Sequence, residues 1–348
     1  MHIIESNSLK DLCAHFVGNK LKENGIELTD KLVDITNIEN YNLINEYLLG
    51  GFKNNYIYYN FHNVTELKLN DIYTIVSNIF ESPKLLLKHS KSIAKFLYEN
   101  STHPQIKDGE LYVAYITGCL LNDEIVDAVG IFKSETKSPF LKIVKSNQSI
   151  EIKHDEGIDI KKLDKGCLIF NTDIEKGYKV CLIDNSNKYS EAQYWKDNFL
   201  NLKPCADSYH QTKDYLTLTK DFVLHGMNED FEISKADQAN FLNLSIDYFK
   251  KHEVFNEKEF SRDVFSDTNV IKSFKNYKDE FQVENEIEIV NDFHISPQAL
   301  KKQSRVFKSV LKLDKNFHIY IHGNRELIEQ GTEKDGRKFY KIYFEKES

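Results

Sequence analysis

Between Gly109 and Asp184 the chain is built from short apolar and β-branched runs, broken by Gly, Asn and Asp: Leu111–Ile116, Ile125–Phe132, Phe140–Val144, Cys167–Asn171 and Tyr178–Ile183. Runs of this length and composition read as strands. The segments between them are too short for the crossover helices that parallel pairing requires, so the sheet they form is mostly antiparallel. The last two runs, joined through Asp173-Ile174-Glu175-Lys176-Gly177, read as a hairpin.

Helical periodicity flanks this region. Leu9–Val17 reads as a strand, and Ile38–Leu49 and Asn70–Phe80 as helices. From Pro83 to Asn100 the spacing of Leu86, Ile93, Phe96 and Leu97 suits an amphipathic helix, with Pro at its first turn, where no amide hydrogen bond is lost. Ala192–Leu202 reads as a helix stopped before Pro204, and a domain boundary is expected there. With 348 residues against about 150 for a typical domain, two domains are expected, 1–203 and 204–348.

In the second domain Asp207–Leu224, Ser234–Lys251, Glu257–Phe265 and Thr268–Asn276 read as helices. Ser234, with Asp237 three residues on, is a variant of the capping box. Ser296-Pro297 opens a short helix. Glu286–Val290, Val306–Leu313, Phe317–His322, Glu326–Ile328 and Phe339–Phe344 read as strands, and Asp335-Gly336 as a hairpin turn. The predicted fold class is α+β: an N-terminal domain with a mostly antiparallel sheet and flanking helices, then a helical C-terminal domain closed by a small β-sheet.

No window approaches the roughly eighteen apolar residues of a membrane helix, and Met1-His2-Ile3-Ile4-Glu5 lacks a basic stretch followed by an apolar one, so a cytoplasmic protein without membrane contact is expected. The five cysteines are odd in number and form no C-x-x-C pair, which excludes an evident zinc module and fits a reducing compartment. Cys119, Cys167 and Cys181 lie in apolar runs and read as core. No G-x-S-x-G, H-E-x-x-H, phosphate loop or dinucleotide fingerprint occurs, so neither an enzyme nor a cofactor is expected. Glu66-Leu67-Lys68 and Glu151-Ile152-Lys153 match the E-x-K fragment of metal-dependent nucleases, a triplet common by chance in a chain so rich in Lys and Glu.

The formal charge of −8 counts against simple nucleic-acid binding, which needs clustered Lys and Arg. Its distribution is uneven: residues 301–348 carry net +5 and residues 1–300 net −13. Within 301–325, Lys301, Lys302, Arg305, Lys308, Lys312, Lys315 and Arg325 are opposed only by Asp314. On a strand, side chains two apart share a face, which sets Lys308 and Lys312 with Val306 and Val310. In the next strand His318, Tyr320 and His322 project to one face while Phe317, Ile319 and Ile321 project to the core. Such a face contacts phosphates through its cations and offers Tyr320 for stacking; the same pattern also describes a solvated face that resists edge aggregation. His318 and His322 are separated by Ile-Tyr-Ile, a strand pattern that sets them about 13 Å apart, too far to share a metal ion.

The stretch from Arg305 to Ile328 resembles the C-terminal segment of the bacterial nucleoid-associated proteins called NdpA-like, in the branch of Bacteroidetes-type bacteria. Ser92–Tyr98 with Ser101-Thr102-His103-Pro104, Leu163–Asn171 and Glu191–Trp195 carry the resemblance in order along the chain. Against the proteobacterial branch the chain departs at His318–Arg325, which replaces a more acidic, glycine-rich stretch. The resemblance implies a DNA-associated cytoplasmic protein at the nucleoid with no established enzymatic activity. The expected function is therefore non-enzymatic, weakly sequence-selective binding of double-stranded DNA through the basic segment. A homodimer and a protein partner at the nucleoid are left open. Two other readings stand beside it: an adaptor for a nucleoid, topology-controlling or phage-defence protein, whose basic surface would meet the −13 portion, and a metal-dependent nuclease.

Overall fold

A computed structural model describes residues 2–3, 8–53, 55, 57–121, 124–146, 149–185, 194–305, 307, 310–313, 316–320 and 327–346. The chain divides into two compact units, Met1–Cys205 and Ala206–Ser348. Both mix helices and strands, the α+β class expected.

The first unit contains strands β1 (His2–Ile3), β2 (Ser8–Val17), β3 (Ile26–Glu27), β4 (Tyr58–Phe61), β5 (Gly109–Leu121), β6 (Glu124–Ser134), β7 (Ser138–Ser146), β8 (Ser149–Gly157), β9 (Lys165–Phe170), β10 (Lys179–Asp184) and β11 (Leu202–Pro204). Its helices are α1 (Ile38–Leu49), α2 (Asp71–Glu81) and α3 (Leu86–Asn100). Nine strands form one sheet in the order β11-β4-β10-β9-β6-β5-β2-β3, with β1 against β5, while β7 and β8 pair only with each other. Every pairing is antiparallel, as the short connections require. The predicted hairpin is β9–β10. Its turn ends on Gly177, whose φ of +95° and whose carbonyl, accepting from Phe61 N–H, leave no room for a side chain.

The central strands are apolar on both faces because both faces are covered. Val129, Ile131, Cys167 and Ile169 face one core with α2, α3 and Trp195; Ala128, Phe132, Leu168 and Phe170 face another with Tyr47, Leu48 and Phe52. All five cysteines are buried. Ala192–Leu202 departs from the expected single helix. Its described part is π-helical over Tyr194–Leu200, and the chain then extends as β11 on the sheet edge, where Pro204 costs no ladder hydrogen bond.

Two polar side chains fasten this unit. Asn70 caps α2 by accepting from Tyr73 N–H (2.9 Å), and its amide donates to the carbonyls of His62 (3.1 Å) and Leu200 (3.0 Å). Asn70→Ala removes all three bonds from a buried site and is expected to lower stability by about 2–4 kcal/mol in urea unfolding; a loss under about 1 kcal/mol would mean the site rehydrates. His15 is buried, with Thr29 N–H donating to its Nδ1 (3.2 Å), so Nε2 carries the proton and donates to Ser90 Oγ (2.8 Å). Protonating Nδ1 would set donor against donor, and burial, with Lys91 nearby, holds the imidazole below the usual histidine range. The unfolded chain then takes up the proton more readily than the folded one, so stability falls as pH drops below about 6.5. His15→Asn is expected to lose part of that acid sensitivity in unfolding compared at pH 7.5 and 5.

The second unit contains α4 (Ser208–Asp221), α5 (Met227–Asp230), α6 (Lys235–Lys251), α7 (Glu257–Val264), α8 (Thr268–Glu284) and α9 (Pro297–Gln303). Its strands form three antiparallel pairs: β12 (Val254–Asn256) with β13 (Asp292–His294), β14 (Val310–Leu313) with β15 (Phe317–Tyr320), and β16 (Ile328–Thr332) with β17 (Lys338–Ile342). Tyr215 is packed among Phe249, Phe255, Phe260, Phe274 and Phe293. Ser234 accepts from Asp237 N–H and Ser296 from Ala299 N–H, the two caps expected from sequence. Asp335-Gly336 lies in the β16–β17 turn, with Gly336 at φ +87°. Glu286–Val290 is not a strand: Glu286 takes a left-handed φ of +53°, and the strand begins only at Asp292, as β13.

Candidate nucleic-acid interface

Lys301 and Lys302 sit in the last turn of α9, and Arg305 follows one residue past the cap; all three are exposed. A helix end whose carbonyls point outward favours cations there. The Lys302 ammonium lies 5.5 Å from the centre of the Tyr209 ring, which holds its position on α4 while leaving the group in water. Lys312 stands directly opposite His318 in the β14–β15 hairpin, and Val310 opposite Tyr320. His318 and Tyr320 are exposed, as the alternation predicts. Ile319 packs toward Ala236 and Ala239 of α6, but Phe317 does not join it and is 64% exposed, because at the end of a two-stranded hairpin no described residue covers its ring. Lys308, Lys315, His322 and Arg325 lie outside the described residues, as does the side chain of Lys312.

The described cationic side chains of this segment therefore lie at one place, the compact end of α9; on the hairpin only the backbone position of Lys312, opposite His318, is described. Exposed, hydrated ammonium and guanidinium groups of this kind bind phosphate oxygens by charge, without reading bases. The two E-x-K fragments differ in local structure, and no group of three or more His, Cys, Asp or Glu that could hold a metal ion is found among the described residues. Leu67–Leu69 is a 3₁₀ turn, not a strand, and Glu151 and Lys153 pair with each other (3.3 Å) on an exposed hairpin face.

Two polar clusters escaped sequence reading because nothing local marks a lysine as buried. On β6 and β9, Lys133 and Lys165 are directly opposite cross-strand partners, and both are buried. Lys133 pairs with Glu135 (3.2 Å) and donates to the Lys107 carbonyl (2.6 Å); burial pushes its ammonium below the usual lysine range. Lys165 pairs with Asp184 (2.7 Å), and Tyr194 donates to Glu135 (2.9 Å). Each cation thus has its own carboxylate, the pairing that makes a buried charge tenable. In the second unit Lys278 pairs with Glu257 (2.7 Å) and donates to Asn291 Oδ1 (2.9 Å) at the wall of a cavity of about 540 Å³. Lys258, Lys275, Asp279 and Asp292 also line it, so three cations meet three anions there. The alternation of Lys and Asp at 275, 278 and 279 at helical spacing was the available signal, but it is equally that of a solvated face.

Fold and site together define a two-unit α+β protein with exposed cations at the end of a C-terminal helix, on an otherwise acidic chain. No helix among the described residues is long and apolar enough to cross a membrane. Residues 14–337 match the family described as nucleoid-associated protein YejK, and the chain belongs to that family. No curated protein matches it.

Proposed function

We propose that this chain is a cytoplasmic, non-enzymatic protein that binds double-stranded DNA at the nucleoid with weak sequence selectivity, using the C-terminal basic segment for phosphate contact. The observation that carries the reading is the exposed group Lys301, Lys302 and Arg305 at the end of α9, in a segment of net +6 on a chain whose first 300 residues are net −13. Membership of a nucleoid-associated family supports it. Charge contacts to phosphate carry no base information, hence the weak selectivity. In gel shifts across a salt series the affinity is expected to fall steeply, with a slope of about 0.9 per phosphate neutralised. No retarded duplex at low salt would refute the reading.

The acidic balance of residues 1–300 favours a second reading, an adaptor that meets a basic protein partner. A pull-down from nuclease-treated lysate separates the two, since a direct partner survives removal of DNA. Plasmid incubated with Mg²⁺ or Mn²⁺ is expected to stay intact; cleavage would replace the non-enzymatic reading with a nuclease.

A further inference from the structure

The hairpin β7–β8 is an insertion between β6 and β9, neighbours in the large sheet, and it pairs with no other strand. Its register sets Leu141 opposite His154, Ile143 opposite Ile152 and Lys145 opposite Ile150, and paired residues share a face. One face therefore presents Leu141, Ile143, Ile150 and Ile152 as a contiguous apolar patch, each between 63% and 72% exposed. None of the four belongs to either core of the first unit. The opposite face is polar, with Lys142, Glu151, Lys153 and Asp155, and Phe140 folded over Gly157. An isolated two-stranded hairpin is marginal in water, and a contiguous apolar face of this kind marks an interaction surface.

The charges of the hairpin identify what covers it. Lys142, Lys145 and Lys153 are balanced by Glu151, Asp155 and Glu156, so the arm has none of the excess positive charge that a DNA-binding ribbon needs. Along the apolar face, Lys145 lies at the tip and Glu156 at the base, with the four aliphatic side chains between them. Turned about a two-fold axis, this face complements itself: aliphatic meets aliphatic and each tip cation meets a base carboxylate. We propose that β7–β8 is a dimerisation arm whose apolar face packs antiparallel against that of a second copy of this chain, Lys145 of each meeting Glu156 of the other. The nine-residue strands make a face only about 30 Å long and two strands wide, below the roughly 1,200 Å² of stable interfaces, so the dimer is a weak one that depends on concentration. The inference does not depend on DNA binding.

The test is sedimentation of the nucleic-acid-free full-length chain from about 1 to about 100 μM, where a monomer–dimer equilibrium is expected. Ile143→Lys with Ile152→Lys, both at exposed positions that leave the cores untouched, is expected to raise the dimer Kd by about 100-fold or more with unchanged circular dichroism. Lys145→Glu alone and Glu156→Lys alone are each expected to weaken the dimer by about tenfold, and the two exchanged together in one chain to restore it. The charge exchange keeps the proposal testable should the lysine variant not fold. A wild-type chain monomeric throughout the range overturns the proposal and assigns the face to a different protein. A dimer indifferent to the lysine substitutions, or single exchanges without restoration, also overturns it.

Discussion

Replacing Lys301, Lys302 and Arg305 together by Ala is expected to flatten the salt dependence of DNA binding by about 2.7 in slope, three contacts at about 0.9 each. Extrapolated to 1 M salt, wild type and variant converge; at 0.1 M the same slope difference amounts to about 500-fold in affinity. The large effect follows from location: the three groups are exposed, on one helix end, and have no described carboxylate partner. The fold is expected to stay intact, because none of the three is part of the aromatic core. Lys22, Lys31 and Lys162, exposed on the first unit, supply the control; their replacement by Ala removes the same formal charge and is expected to leave the slope unchanged. An unaltered slope in the first variant, measured by fluorescence anisotropy on a 30-base-pair duplex of about that length, would move the contact surface off α9.

The sequence made most of the first unit legible because its signals are local. Leu111–Ile116 through Tyr178–Ile183 all map onto strands, with only Asn171 and Tyr178 just outside them, and α1 spans the predicted Ile38–Leu49; in the second unit Ser234 and Ser296 cap the helices they precede. Glu286–Val290 misled because the alternation of Ile287 and Ile289 is that of a strand, yet its backbone is served by side chains of two helices, one of them far away in sequence. Gln282 accepts from Ile289 N–H (2.7 Å), and Gln211 accepts from Val290 N–H (3.0 Å) while donating to the Glu288 carbonyl (2.7 Å). Two glutamines in helices do the work of a neighbouring strand, and no pattern within 286–290 records it.

The candidate site divides along the same line. Charge density is additive along a sequence, so the basic segment could be counted, and the strand placement of His318 followed from Ile319 and Tyr320 around it. Burial is not additive. Lys133, Lys165 and Lys278 have the composition of surface residues, and pairing with Glu135 nearby and with Asp184 and Glu257 from other elements makes their positions tenable.

The pair Lys278–Glu257 carries the largest stability effect expected in the C-terminal unit. Glu257 opens α7 and Lys278 lies on α8; Asn291, which accepts from Lys278, also receives Glu257 N–H at its backbone carbonyl (2.9 Å). One ion pair thus ties the start of one helix, the middle of another and the segment leading into β13. Both side chains are nearly excluded from water, at 7% and 10% exposed, so removing one partner leaves the other as an uncompensated buried charge. Glu257→Leu or Lys278→Met alone is expected to cost about 3–5 kcal/mol, whereas the two together remove both charges and are expected to recover most of that loss. Urea unfolding of the four proteins closes the cycle. Single losses below about 1 kcal/mol would mean that water from the adjoining cavity reaches the pair, and its coupling would then be that of a surface salt bridge. Because α9 packs on α4 in this same unit, the destabilised single variants are also expected to lose DNA binding on mild heating before wild type does, and the double variant to regain it.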